Sequence, residues 1–213
     1  MTRPAEKTAA RPAAPRGRKP DPAKEEAIFE AARAAFLEKG YAASIDEIAE
    51  RAGVVKQTIY ARFKSKEDLF ADVIRAGAEE FLAPLFATDG DRSIRTILTT
   101  IGERYHRMML EPKRVKLARL IISEAAKFPD LAQRYYEVGP DYVSRRLADY
   151  IAEASRRGLL KVDDPALAAS QLLGMIKGNE HLGALLGVES AENESRRRRR
   201  VAAAIDAFMK LYA

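Results

Sequence analysis

The chain contains no cysteine, so it has neither a disulfide framework nor a thiolate zinc site. Its only two histidines, His106 and His181, lie far apart and match neither HxxxH nor HExxH, which leaves no sequence basis for a metal centre or a catalytic triad. Walker, GxGxxG and GxSxG patterns are missing as well. No apolar run is long enough to cross a bilayer, because charges interrupt every hydrophobic segment. The N-terminus lacks the continuous apolar stretch of a secretory signal. These absences predict a cytoplasmic protein with no metal, no cofactor, no membrane partner and no catalytic site.

What the chain does have is positive charge and helical punctuation. Its 213 residues carry a net charge of +6 with pI ≈ 9.5, which fits an anionic partner. Residues 1–20 hold six Lys/Arg against one Glu in a stretch too poor in large apolar residues to fold. This predicts a disordered basic arm over 1–20 that grips nucleic acid, with a solubilising tail as the alternative. Within it, PRGRKP resembles the core of an AT-hook, in which Arg16 and Arg18 would enter a narrow A·T-rich minor groove.

Helix signals start at Asp21 and Pro22, and Gly40 after Lys39 marks the end of the first helix. Ser44 with Glu47 three residues on forms a capping-box pattern for a second helix, which Gly53 ends. A third helix is expected over Lys56–Arg62 and a fourth from near Ser65, carrying Leu69, Phe70, Val73, Ile74 and Phe81 inward. From Arg51 to Lys66 there are five basic residues and no acidic one. A helix, a tight turn and a short exposed helix of this kind have the geometry that enters a DNA major groove.

The rest also reads as helical. One stripe runs from Ile94 to Met108 and ends at Pro112, and a second helix stops before Phe128-Pro129. A third spans about 130–157 with an interruption at Gly139-Pro140, followed by helices over about 165–187 and 191–212. No segment alternates with period two for long, so the fold class is all-α. The expected division is a helix-turn-helix DNA-binding domain over 21–66 and a helical effector-binding and dimerisation domain over 67–213.

The segment AIFEAARAAFLEKGYAASIDEIAERAGVVKQTIYARFKSKEDLF, Ala27–Phe70, resembles the DNA-binding region of TetR-type bacterial transcriptional regulators. The shared features are the first-helix Phe, the Gly-Tyr turn, Ala-Gly-Val, and Tyr-x-x-Phe followed by Lys-x-x-Leu-Phe. EAAKFPDLAQRYYEVGP is similar to the ligand-domain sequence of some members. The resemblance implies a homodimer that reads a palindrome in double-stranded DNA and responds to a small-molecule effector, most often as a repressor. By motif position, Lys56 and Gln57 would face base edges, and Thr58, Tyr60 and Arg62 would touch backbone or flanking bases. Lys66 and Ser44 would hold phosphates. The family usually places Ser or Thr just before the recognition helix; Val55 stands there in this chain.

In the larger domain, Tyr105, Met108, Met109, Ile121, Phe128, Tyr135 and Tyr142 either form an ordinary core or line an apolar effector pocket. Gly174, Gly178, Gly183 and Gly187 sit in a segment that reads as one continuous helix, where each costs about 1 kcal/mol relative to Ala. Close approach of a symmetry mate would explain them, and a broken helix is the alternative. On the first view the dimer interface includes Gly174, Gly178, Ile205 and Phe208. The five arginines of Arg196–Arg200 are expected to pair with nearby glutamates, Glu192–Arg196 and Glu194–Arg198 having the favourable order. Two further functions compete with a ligand-responsive regulator. One is a sequence-tolerant DNA-coating protein, and the other is a helical enzyme with an incidental basic patch.

Overall fold

The computed structural model describes residues 22–86, 93–188 and 193–213. They contain helices and no strand. The order is α1 (Pro22–Lys39), a one-turn 3-10 helix (Gly40–Ala42), α2 (Ile45–Arg51), α3 (Lys56–Arg62), α4 (Lys66–Phe86) and α5 (Ile94–Leu110). Then come α6 (Pro112–Glu124), α7 (Pro129–Val138), α8 (Pro140–Arg156), α9 (Pro165–Lys177), α10 (Glu180–Leu186) and α11 (Glu194–Tyr212).

The boundaries follow from local chemistry. The side chains of Ser44, Ser93, Asp164 and Asn193 each accept a backbone N–H at the start of α2, α5, α9 and α11. Proline opens α6, α7, α8 and α9, where its missing N–H costs nothing. Only half of the expected capping box at Ser44 is built. Its hydroxyl accepts the Glu47 N–H at 3.1 Å, but the Glu47 carboxylate is engaged by Lys39 at 2.8 Å and Arg51 at 2.6 Å.

Two hydrophobic clusters share α4. Ile28, Ala32, Phe36, Ile48, Ile59, Phe63, Leu69 and Phe70 form the smaller one, with Phe36 edge-on to Phe70 at 5.1 Å. Leu117 and Ile121 of α6 and Leu131 of α7 complete it. The larger cluster gathers Phe81, Leu82, Leu98, Ile101, Leu147, Ile151, Leu172, Ile176, Val201 and Phe208. Gly40, at φ +61°, lies against Leu120 of α6, and Lys116 donates to the Glu38 carbonyl at 2.7 Å. The N-terminal head, α1 to α3, is therefore packed against the body along α4, α6 and α7.

The glycine-rich helix is broken. Gly178 takes φ +56° and ψ −160°, a conformation that ends α9 and is strained for any L side chain. Its backbone is covered by this chain's own Arg200 and Glu180, which pair with each other. Close approach of a partner helix is therefore not what its missing side chain serves. Gly187 likewise ends α10 at φ +82°. Ile205 and Phe208 are fully buried in the larger cluster, so neither has area to give a partner. Gly174 is exposed, with open space where a Cβ would stand. Arg198 pairs with Glu194 at 2.5 Å, as the spacing predicts. Glu192, Asp21 and the arm with Arg16 and Arg18 lie outside the described residues.

Candidate nucleic-acid interface

The helix-turn-helix is built around small residues. Ala49 lets α2 and α3 approach, Gly53 takes φ +65° in the turn, and the Val54 N–H closes on the Ala49 carbonyl at 3.0 Å. Val55 precedes α3 in extended conformation and is 64% exposed, with no side-chain cap. The first N–H groups of α3 are therefore left for solvent or a phosphate.

Ile59 and Phe63 fix the inward side of α3, which leaves Lys56, Gln57, Tyr60, Ala61 and Arg62 facing out. Tyr60 is 45% exposed beside the fully buried Ile59, so it is a surface aromatic and not a core one. Thr58 is half-buried. Gln57 stands at the N-terminal end of the helix with a donor and an acceptor in solvent.

The basic stretch lacks acids in sequence but not in space. Lys56 donates to Asp46 at 3.0 Å, and that carboxylate raises the lysine pKa. Arg62 pairs with Glu25 of α1 at 2.6 Å. Arg51 is held by Glu38 and Glu47, which raise its pKa and tie α2 to α1. Lys64 has no ion pair among the described residues. Lys66 is half-buried, donates to the Tyr41 carbonyl at 2.5 Å and stacks over that ring at 4.1 Å. Burial lowers its pKa. Burial and the Glu67 carboxylate, which accepts the Tyr41 hydroxyl, push the phenol pKa up. Ser44 is exposed, and its hydroxyl, which accepts the Glu47 N–H, keeps a proton that can donate.

The seven expected pocket residues do not form one group. Ile121 and Tyr135 pack with the head cluster, and Tyr105, Met108 and Tyr142 pack against the body cluster. Phe128 is 54% exposed, and the Met109 carbonyl lies 2.9 Å from His181 Nδ1. Tyr142 donates to Glu79 at 3.1 Å and borders a 640 Å³ cleft between α4, α7 and α8. That cleft is lined by Arg75, Arg134 and Arg145 against Glu79, Glu137 and Asp141, so its charges compensate. The division follows the two clusters: α5 and α8 both pack on α4 and α9 in the body, whereas Ile121 of α6 and Tyr135 of α7 turn toward the head. The acids Asp46 and Glu25 gave no sequence signal as partners of α3, since both lie on other helices.

Two family models match. Residues 28–73 match the bacterial regulatory proteins of the tetR family, and 96–213 match the C-terminal domain of AefR-like transcriptional repressors. A crystal structure of a candidate TetR-family transcriptional regulator from Mesorhizobium loti is 31% identical, with TM-score 0.72, over 89% of this chain and 96% of that one. The flavonoid-responsive regulator FrrA is 34% identical, with TM-score 0.66, over 90% and 98%. The HTH-type regulator YvkB of Bacillus subtilis (strain 168), itself uncharacterized, is 27% identical over 71% of this chain and 78% of its own length. With its head and body both matched and its recognition helix presented outward, this chain belongs to the TetR family of bacterial transcriptional regulators, with an AefR-like C-terminal domain.

Proposed function

We propose that this protein is a ligand-responsive repressor that binds a palindromic operator as a homodimer. The observation that carries this reading is α3, locked inward by Ile59 and Phe63 while Lys56, Gln57 and Tyr60 face solvent. Lys can donate to guanine O6/N7 and Gln can pair with adenine N6/N7, so both can distinguish bases. Ser44, Thr58, Arg62 and Lys66 stand behind them as phosphate contacts that fix register. Lys56 and Arg62 exchange Asp46 and Glu25 for DNA when they bind.

Dimerisation falls to the outward faces of α9 and α11, where Leu167 is 52% and Leu211 66% exposed. Response to a small molecule is supported by the similarity to FrrA and by the packing of Leu117, Ile121 and Leu131 into the head. An effector that prefers a body state with α6 and α7 displaced shifts the spacing of the two heads, and operator affinity falls by that preference.

Selection of bound duplexes from a random pool, followed by gel shift against random DNA, tests the proposal. A two-fold symmetric site with half-sites about one helical turn apart is expected. Equal affinity for every sequence would point instead to a coating protein. No DNA binding at all would sink both.

A further inference from the structure

A second cleft of 310 Å³ lies where α1, α4, α5 and α6 meet, between head and body. Four guanidiniums line it, those of Arg33, Arg104, Arg107 and Arg114, against the carboxylates of Glu80 and Glu111. Both carboxylates are already used, Glu80 by Arg33 at 3.3 Å and Glu111 by Arg114 at 2.9 Å. Arg33 also lies 3.7 Å from Glu30. Arg104 donates to the neutral Glu80 carbonyl at 3.2 Å, and Arg107 has no ion pair or hydrogen bond among the described residues. Two positive charges thus stand uncompensated on one face of α5, a single turn apart. The N-terminal turn of α6, which Glu111 leaves without a side-chain cap, adds positive potential at the same edge.

The floor is apolar. Phe81 and Met108 form it. Gly77 borders it, and a Cβ there would make only ordinary contact with the Arg114 guanidinium, at 3.4 Å. The volume is at the lower end of ligand sites, which run about 300–1,000 Å³. The geometry points to a binding site for a small organic carboxylate, its charge forked by Arg104 and Arg107 and its ring or chain laid on Phe81 and Met108. Because Arg33 belongs to α1 and the other three arginines to the body, an occupant touches both sides of the head–body junction. As an anion site it stands on its own; as the effector site it rests on the ligand-responsive reading.

The test uses the full chain with benzoate, neutral benzamide and inorganic sulfate as probes, followed by calorimetry and by NMR of the arginine Nε–H groups. Benzoate should bind and shift the Arg104 and Arg107 signals, while benzamide should not. Arg104→Gln and Arg107→Gln should each weaken benzoate binding about tenfold or more, with Lys at either position restoring part of it. Unchanged thermal melting shows that the variants fold, and Arg145→Gln in the other cleft should bind benzoate like the parent. Benzoate binding that survives the double Gln variant, equal binding of benzamide, binding of sulfate alone, or no binding of benzoate at millimolar concentration would each overturn the assignment. Gel shift on the selected operator separates the two claims. Binding of benzoate without a change in operator affinity keeps the site and overturns its effector role.

Discussion

Gly40 and Gly53 offer a controlled comparison of how much the head depends on the body. Their φ angles are nearly equal, +61° and +65°. At Gly53 a Cβ meets nothing within 4 Å, whereas at Gly40 it stands 2.6 Å from Leu120 Cδ1 and 3.3 Å from Leu120 Cβ. An L residue in the left-handed region costs about 1–2 kcal/mol, offset by about 0.4–1 kcal/mol from the stiffer unfolded chain. Gly53→Ala should therefore cost about 1 kcal/mol. Gly40→Ala carries the same cost plus about 1–3 kcal/mol of overpacking against α6, part of which the Leu120 side chain relieves by moving. At about 2–4 °C per kcal/mol for a chain of this size, the second variant should melt about 2 °C or more below the first. Both are measured by circular dichroism at one protein concentration. Leu120→Ala in the Gly40→Ala background should recover the overpacking term, giving a coupling of about 1–2 kcal/mol in a double-mutant cycle. Equal melting of the two glycine variants, or no coupling to Leu120, would refute the packing of α6 on the α1–α2 turn.

Other outcomes follow from the same geometry. Gln57→Ala should reduce preference at one base pair per half-site by about 1–3 kcal/mol, read across single-base operator variants. Lys66→Ala should weaken all operators alike and also lower the melting temperature, because it removes the bond to the Tyr41 carbonyl. Deleting residues 1–20 should flatten the dependence of log K on log salt, by about 0.9 for each phosphate the arm no longer neutralises; an unchanged slope would make the arm a solubility tail. Burial pushes the Tyr105 phenol from 10.0 up to about 12. A raised folded pKa stabilises fully below the unfolded value and loses that contribution as pH rises, so stability should fall between these two values, and Tyr105→Phe should flatten the fall in pH-dependent denaturation.

The head was legible because its signals are local. Ser44 as a cap, Gly40 and Gly53 as positive-φ turns, and Ile59 and Phe63 as the inward side of α3 depend on near neighbours, and each stands as its residue type predicts. Signals that depend on tertiary partners were not legible. The acid-free run from Arg51 to Lys66 reads as unpaired charge, yet Asp46, Glu25, Glu38 and Glu47 reach it from α1 and α2. The glycines from 174 to 187 read as one close-packed helix, because periodicity does not register a single positive φ at Gly178. Nor does sequence distance show that Arg33 and Arg107 share a cleft, or that Tyr135 joins the head and Tyr105 the body.

The smaller cluster has an inner wall made by the body, and this sets how such a regulator can be re-engineered. Excising the head at the end of α3, or grafting it onto another regulator, uncovers the faces that Leu69, Phe70, Leu117, Ile121 and Leu131 now close. The outer side of α3 carries Gln57 and Tyr60, both exposed, so substitution there leaves the core in place. The inner side is shared with the body, so a transplanted head must bring matching residues on α4, α6 and α7 with it.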